Sequence, residues 1–270
     1  MTRITSFFLL VLLLMISSSC EKVIDVKLEG STPQIIIEGE MNAAKGPYTV
    51  TVSESVDYDQ TNTFPARNDA LVSIKDLTTG FSESLKSVGS GNYQTTLLQG
   101  IGGHTYQLTV VLSGKTYTAS SKVPLRLVRI DKLYASASSL GGEDVYMVPV
   151  FTDPEGKGNY YRLRQWLNGV QIKGSYVRSD EATDGFTYEG NLWYSTEPAD
   201  GNPKIKQGDM MTVELQSVDK GVYDYFRTLG TTIAQDATAP SNPLSNFTGG
   251  ALGVFNACRS NKVTATARFQ

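Results

Sequence analysis

The chain has 270 residues, 40 % hydrophobic and 19 % charged, which is the composition of an ordinary globular protein with enough length for one or two cores built without disulfides or metals. A formal charge of −3 and the lack of a long Lys/Arg run argue against a nucleic-acid partner. One histidine, His104, rules out a multi-histidine metal site, and no cofactor is expected.

In chain order, the first element is "FFLLVLLLMISSSC". Phe7 to Ile16 is an unbroken apolar run of ten residues, half the length of about twenty needed to span a bilayer. Arg3 before it and Ser17, Ser18 and Ser19 after it follow the plan of a secretory signal peptide. The run stops on Cys20, an arrangement that resembles a bacterial lipobox, where cleavage leaves a diacylated cysteine as the first residue of the mature chain. The competing reading is an ordinary signal sequence with a coincidental cysteine. Residues 1–19 are therefore expected to be a lipoprotein signal peptide, Cys20 a site of acylation, palmitate included, and 20–33 a lipidated tether ending at Pro33. Removing 1–19 takes Arg3 and no acid, so 23 basic residues face 27 acidic ones and the mature charge is −4. Only Cys20 and Cys258 exist, so a lipid on the first leaves Cys258 as a lone thiol, expected to be buried and inert.

From residue 34 the pattern is β. "QIIIEGEM" (34–41), "YTVTVSES" (48–55), "ALVSIKDL" (70–77), "NYQTTLL" (92–98), "TYQLTVVL" (105–112) and "KTYTASSKV" (115–123) are short, rich in Val, Ile, Thr and Tyr, and often alternate apolar with polar. Ser113-Gly114 marks a tight hairpin, and strand number and spacing predict a sandwich over 34–124. Residues 70–121, with A-x-V-x-I, T-T-G, G-x-Y and G-x-x-Y-x-L-x-V, resemble the immunoglobulin-like or transthyretin-like modules of bacterial surface proteins. A second β-rich domain is expected over 125–270, with strands at Val145–Phe151, Tyr160–Leu167, Phe186–Tyr194 and Met211–Val218. The period then changes: Val222, Phe226, Leu229 and Ile233 share one face of an amphipathic helix near 219–235, with Asp219 as its cap. "ALGVFNA" and a last strand, "KVTATARF", close the chain. The fold class expected is mainly β, a sandwich followed by a β-rich domain with one helix.

Several motifs are decoys. "SGKT" at 113–116 lacks the upstream glycine of a phosphate loop and sits in a hairpin, and "GKGNYY" at 156–161 precedes no helix. His104 in "GIGGHTYQL" reads as a turn residue rather than a triad member. "DPEG" (153–156) and "SDEATDG" (179–185) are oxygen-rich but lack the ligand period of a calcium loop, so no metal site is expected. The aromatic residues Trp166, Tyr188, Trp193 and Tyr194 are the candidate ligand-binding set, since exposed Trp and Tyr rings offer flat faces to a glycan or peptide. Core packing is the alternative for each of them.

A lipobox, "IIIEGEM", "FTDPEGKGNYYRLR", "YDYFRTL" and "SNPLSNFTGGALGVFNA" together resemble a family of Bacteroidota outer-membrane lipoproteins, domain of unknown function 4249, over essentially the whole mature chain. The resemblance implies an outer-membrane address, a gene neighbourhood with TonB-dependent receptors, and an accessory role in capture or import. Glu21 and Asp25 lie where such lipoproteins carry surface-export signals, so the cell surface is favoured over the periplasmic face. The expected function is a non-enzymatic, lipid-anchored binding or accessory protein whose partners are the membrane, a TonB-dependent receptor and a glycan or peptide. The alternatives are a structural or adhesive surface protein and, third, a hydrolase using a carboxylate pair. Cys20→Ala should move the protein from the membrane to the soluble fraction with its β-rich circular dichroism intact, and unchanged membrane fractionation would contradict the lipid reading.

Overall fold

The computed structural model describes residues 32–57, 63–137, 144–174, 176–196, 201–233 and 242–269. The leader 1–19, Cys20 and nearly all of the tether lie outside them. The chain is mainly β, and the residues from Pro33 on form one compact unit. Its strands are β1 (Ile35–Asn42), β2 (Thr49–Glu54), β3 (Leu71–Asp76), β4 (Ser82–Ser84), β5 (Lys86–Gly89), β6 (Asn92–Gln94), β7 (Thr105–Leu112) and β8 (Lys115–Lys122). There follow β9 (Lys132–Ala137), β10 (Val145–Thr152), β11 (Tyr160–Leu167), β12 (Val170–Gln171), β13 (Tyr176–Ser179), β14 (Thr187–Glu189), β15 (Met210–Val218), a helix α1 (Lys220–Ile233) and β16 (Leu252–Thr266).

A nine-stranded sheet is the frame, in the order β12-β11-β15-β16-β1-β2-β6-β5 with β13 also on β11. A four-stranded sheet (β4-β3-β7-β8) and a three-stranded sheet (β14-β10-β9) pack against it. Side-chain alternation explains how one sheet serves both. Odd-numbered residues such as Ile37, Met41, Phe255 and Ala257 are buried against the four-stranded sheet with Ile74, Leu108 and Val110. Farther along the frame, Leu163, Met211, Val213 and Leu215 are buried with Leu133, Met147 and Phe151 of the three-stranded sheet. The first cluster draws on residues 37–123 and the second on 128–215, and each also takes residues from the C-terminal segment. β16 therefore crosses the expected boundary at 124/125.

The even-numbered face of the frame carries α1. Val222, Tyr225 and Phe226 pack on Val218, Val254 and Cys258. Asp219 caps the helix by accepting from Val222 N–H at 3.0 Å, and its other oxygen accepts from Lys122 N–H at 2.8 Å and from the Ser121 hydroxyl, which ties the helix start to β8. The helix covers a sheet face, as its spacing predicts. The side chain of Ile233 and residues 234–235 lie outside the described residues.

Two expectations need correction. "ALGVFNA" and the separately expected last strand "KVTATARF" are joined in one continuous 15-residue strand, β16. The polar stretch stays extended because β15 pairs with it through Arg259 to Thr266. The strand expected over Phe186–Tyr194 shrinks to Thr187–Glu189, since β10 offers only three paired positions there. β9, where no strand is expected, forms in "VRIDKLYAS" by pairing with β10 over Lys132–Ala137. The Ser113-Gly114 hairpin is as expected: both residues have positive φ (49° and 77°), the geometry whose twist suits a two-residue turn.

Gly253 marks a very tight approach between two strands of the frame. It has φ of +96°, and a Cβ there would lie 2.1 Å from the Ile37 carbonyl oxygen across the β1–β16 pair. Gly253→Ala should lower the unfolding free energy by about 3 kcal/mol or more, combining left-handed strain with a backbone clash, as read by urea denaturation.

Candidate functional site

The aromatic candidates divide by strand parity. The segment after β14 alternates, so Leu192 and Tyr194 turn inward while Trp193 points out and is 41 % exposed. The ring of Trp193 rests on Tyr146 at 4.5 Å, and Tyr188 rests on Phe151 at 5.1 Å. Tyr188 and Trp193 line one cleft of about 400 Å³, closed on the far side by α1 through Phe226 and Arg227 and at its end by Tyr176 and Arg178 of β13. The guanidinium of Arg178 lies 4.6 Å above the Tyr188 ring and donates to its hydroxyl at 3.2 Å.

Tyr194 and Trp166 are not part of this cleft. Tyr194 is buried edge-on to Tyr146, donates its hydroxyl to the Pro203 carbonyl at 3.0 Å, and has its pKa pushed up to about 12 by burial and by the neighbouring Tyr146. It is a packing residue. Trp166 stands on the even face of β11, with the Lys262 ammonium 4.0 Å over its ring, so a cation already covers the face that a ligand would use. Composition singles out all four residues alike. The contribution of β13 and α1 to the cleft, Arg178 and Arg227 above all, has no local sequence signal, because it depends on β13 pairing back onto β11 and on α1 crossing the frame.

The cleft offers rings, two guanidinium groups and the Asn191 amide, and its lining holds no carboxylate, histidine or cysteine. Tyr176 has its hydroxyl pKa raised, chiefly by burial, and stays protonated. These groups stack and donate hydrogen bonds. They do not form an acid–base pair.

Other chemistry-bearing groups are occupied. Glu40 and Glu214 share Arg164, at 2.8 Å and 2.6 Å, and Arg162 reaches Glu40 at 3.2 Å, within a network that also holds Gln216 and Asn256. Both carboxylates are neutralised by guanidinium groups of β11, Glu214 from the adjacent strand β15 and Glu40 from β1, three strands away along the sheet. His104 Nδ1 meets Asp76 Oδ2 at 2.8 Å, while Asp76 Oδ1 accepts from Thr78 and Thr79 N–H, which makes a turn. Cys258 is free and fully buried, and burial pushes its thiol pKa well up, the reverse of what a nucleophile requires.

The two acidic loops meet in space. Asp153, Asp180 and Asp184 bring carboxylate oxygens within 4.8 Å of one another, an all-oxygen set of the kind that suits a hard cation. Their hydrogen bonds account for the grouping within the fold. Asp180 accepts from Gly158 and Asn159 N–H at 3.0 and 2.9 Å, Asp184 from Gly156 N–H at 2.7 Å, and Asp153 from Gly185 N–H at 3.1 Å and from the Tyr161 hydroxyl. The three acids are clasps that fix the β10–β11 loop. Asp180→Ala, which strands two amide donors at a buried position, should cost about 3 kcal/mol in a urea melt, whereas Asp184→Ala at a half-buried position should cost about 1 kcal/mol.

No helix among the described residues is long and apolar enough to cross a membrane. A family model described as domain of unknown function (DUF4249) matches residues 21–264. No curated protein matches the chain.

Proposed function

The chain belongs to the DUF4249 family, and from that premise we propose that it is a non-enzymatic, lipid-anchored binding or accessory protein of an outer-membrane uptake system. The observation that carries this reading is the cleft in which the exposed Trp193 and the half-buried Tyr188 flank a space of about 400 Å³ beneath α1. Its volume lies in the range of about 300–1,000 Å³ typical of ligand sites, and ring faces beside convergent hydrogen-bond donors suit a sugar or a peptide. Binding rather than turnover is favoured by the lining itself, which contains no group able to exchange a proton near neutral pH. The carboxylate pair that a hydrolase would need is disfavoured at Glu40 and Glu214, since Arg164 holds both.

The anchor belongs to the same proposal. Acyl chains on Cys20 hold the body at a membrane more firmly than one chain would, which raises the local concentration of the cleft near a TonB-dependent receptor and lets a weak contact suffice. The cell surface is the favoured face. A protein with only a scaffolding or adhesive role would have no use for a ring-lined recess.

Binding of the purified protein to glycan and peptide libraries tests the reading. Trp193→Ala should weaken the best ligand about tenfold or more with the thermal midpoint nearly unchanged, because Trp193 is exposed, and Tyr188→Ala should weaken it similarly with a lowered midpoint, because half-buried Tyr188 packs on Phe151. Wild-type affinity in both variants for every ligand found would sink the proposal.

A further inference from the structure

The ring-lined cleft has the opposite sign to the chain that carries it. The protein as a whole is acidic, at −3, yet among the described residues the cleft lining holds Arg178 and Arg227 and no Asp or Glu. The acids nearest in sequence are engaged elsewhere. Glu189, next to Tyr188, accepts from the Tyr134 hydroxyl at 2.6 Å, and Asp180, close after Arg178, accepts from Gly158 and Asn159 N–H. Asp224 is held by Lys220 at 2.6 Å, which leaves Arg227 only a long contact to that acid at 3.9 Å.

Arg178 is the oriented member of the pair. Its guanidinium lies 4.6 Å above the Tyr188 ring and donates to the Tyr188 hydroxyl at 3.2 Å, and it has no carboxylate partner among the described residues. Tyr188 in turn packs on Phe151 at 5.1 Å, so the platform beneath the cation is fixed by the core. A guanidinium carries about five N–H donors in one plane, and one is used here, which leaves the others for a two-bonded grip on a carboxylate. A cation held in this way before binding loses little freedom when an anion docks. Trp193, 41 % exposed and braced by Tyr146 at 4.5 Å, supplies an apolar ring face in the same cleft.

Resting on the binding role proposed for this cleft, we propose that its ligand is an acidic sugar, a hexuronate in a short oligosaccharide, with the carboxylate on Arg178 and the pyranose face stacked on Trp193. Arg227 adds positive potential from α1. A neutral sugar leaves both guanidinium groups without a counter-charge. An acidic peptide would satisfy the cations, but its backbone brings an N–H at each residue, and Asn191, Thr231 and two tyrosine hydroxyls are the few side-chain acceptors in the lining. Sugar hydroxyls both donate and accept, so the guanidinium donors serve them as well. The volume of about 400 Å³ lies near the small end of ligand sites and fits a short oligosaccharide.

Isothermal titration of the purified protein with trigalacturonate and trimannuronate, beside the methyl ester of each and a triglutamate peptide, tests the class. At least one free acid should bind about tenfold or more tighter than its own ester, with an affinity that falls as salt is raised. Arg178→Gln should weaken that acid about tenfold and leave the ester unchanged, with unaltered circular dichroism, and Arg178→Lys should restore only part of the loss because a point charge lacks the fork. Tyr188→Phe keeps the ring on Phe151 and removes only the hydroxyl that orients Arg178, so it should weaken the acid about twofold and spare the ester. Trp193→Ala should weaken acid and ester alike. Equal binding of acid and ester, both lost in Trp193→Ala, would overturn the acidic-sugar assignment while the binding role of the cleft stands. Flat titrations of both acids to about 10 mM, or tighter binding of triglutamate than of either uronate, would overturn it as well; the binding role is then judged separately, by whether any library ligand depends on Trp193.

Discussion

Everything in this fold depends on the double pairing of β16. Its first seven residues pair in parallel with β1, and the next eight pair in antiparallel with β15. No other strand of the large sheet joins the two halves, because β1, β2, β6 and β5 lie on one side of it and β15, β11, β12 and β13 on the other. Since successive side chains alternate, one face of this strand feeds both hydrophobic clusters through residues such as Phe255 and Ala257, and then Val263 and Ala265. The opposite face supplies Val254, Asn256 and Cys258 to the helix and the polar network. The ring-lined cleft follows at one remove, since α1, which closes it, is seated by Val254 and Cys258.

The dependence is long-range, and that governs what the sequence reveals. Alternation of apolar and polar residues marks the strands of the N-terminal sandwich because each has one dry and one wet face, as in "TYQLTVVL", where every second side chain of β7 is buried. Asp219 and the 222–226–229 spacing mark the helix for the same local reason. The signal fails where partner strands rather than composition impose extension. The middle of β16, "RSNK", carries no apolar pattern and is extended because β15 lies beside it. The short strands β12, β13 and β14 likewise exist as additions to β10 and β11.

Of the sites, the sequence marks residue types but not neighbourhoods. Four aromatics stand out from 160 to 194, yet which ring faces solvent is settled by parity and by covering cations, so Tyr188 and Trp193 share a cleft while Tyr194 packs inward and Lys262 covers Trp166. Two acidic loops read as separate solvated turns become one clasp when β10 and β11 bring Asp153 near Asp180 and Asp184. Glu40 lies 174 positions before Glu214, and nothing local in either stretch announces that one arginine holds both.

The arrangement of the first strand also bears on mechanical load. A pull entering through the segment before Ile35 acts along β1, which is flanked by six paired positions on β2 and seven on β16. Such a force must shear two hydrogen-bonded ladders together instead of unzipping them one rung at a time, and resistance to forced unfolding is governed by that barrier. The amino end of the described body is therefore held by two ladders at once, so tension entering there is spread into the frame before it reaches the ring-lined cleft.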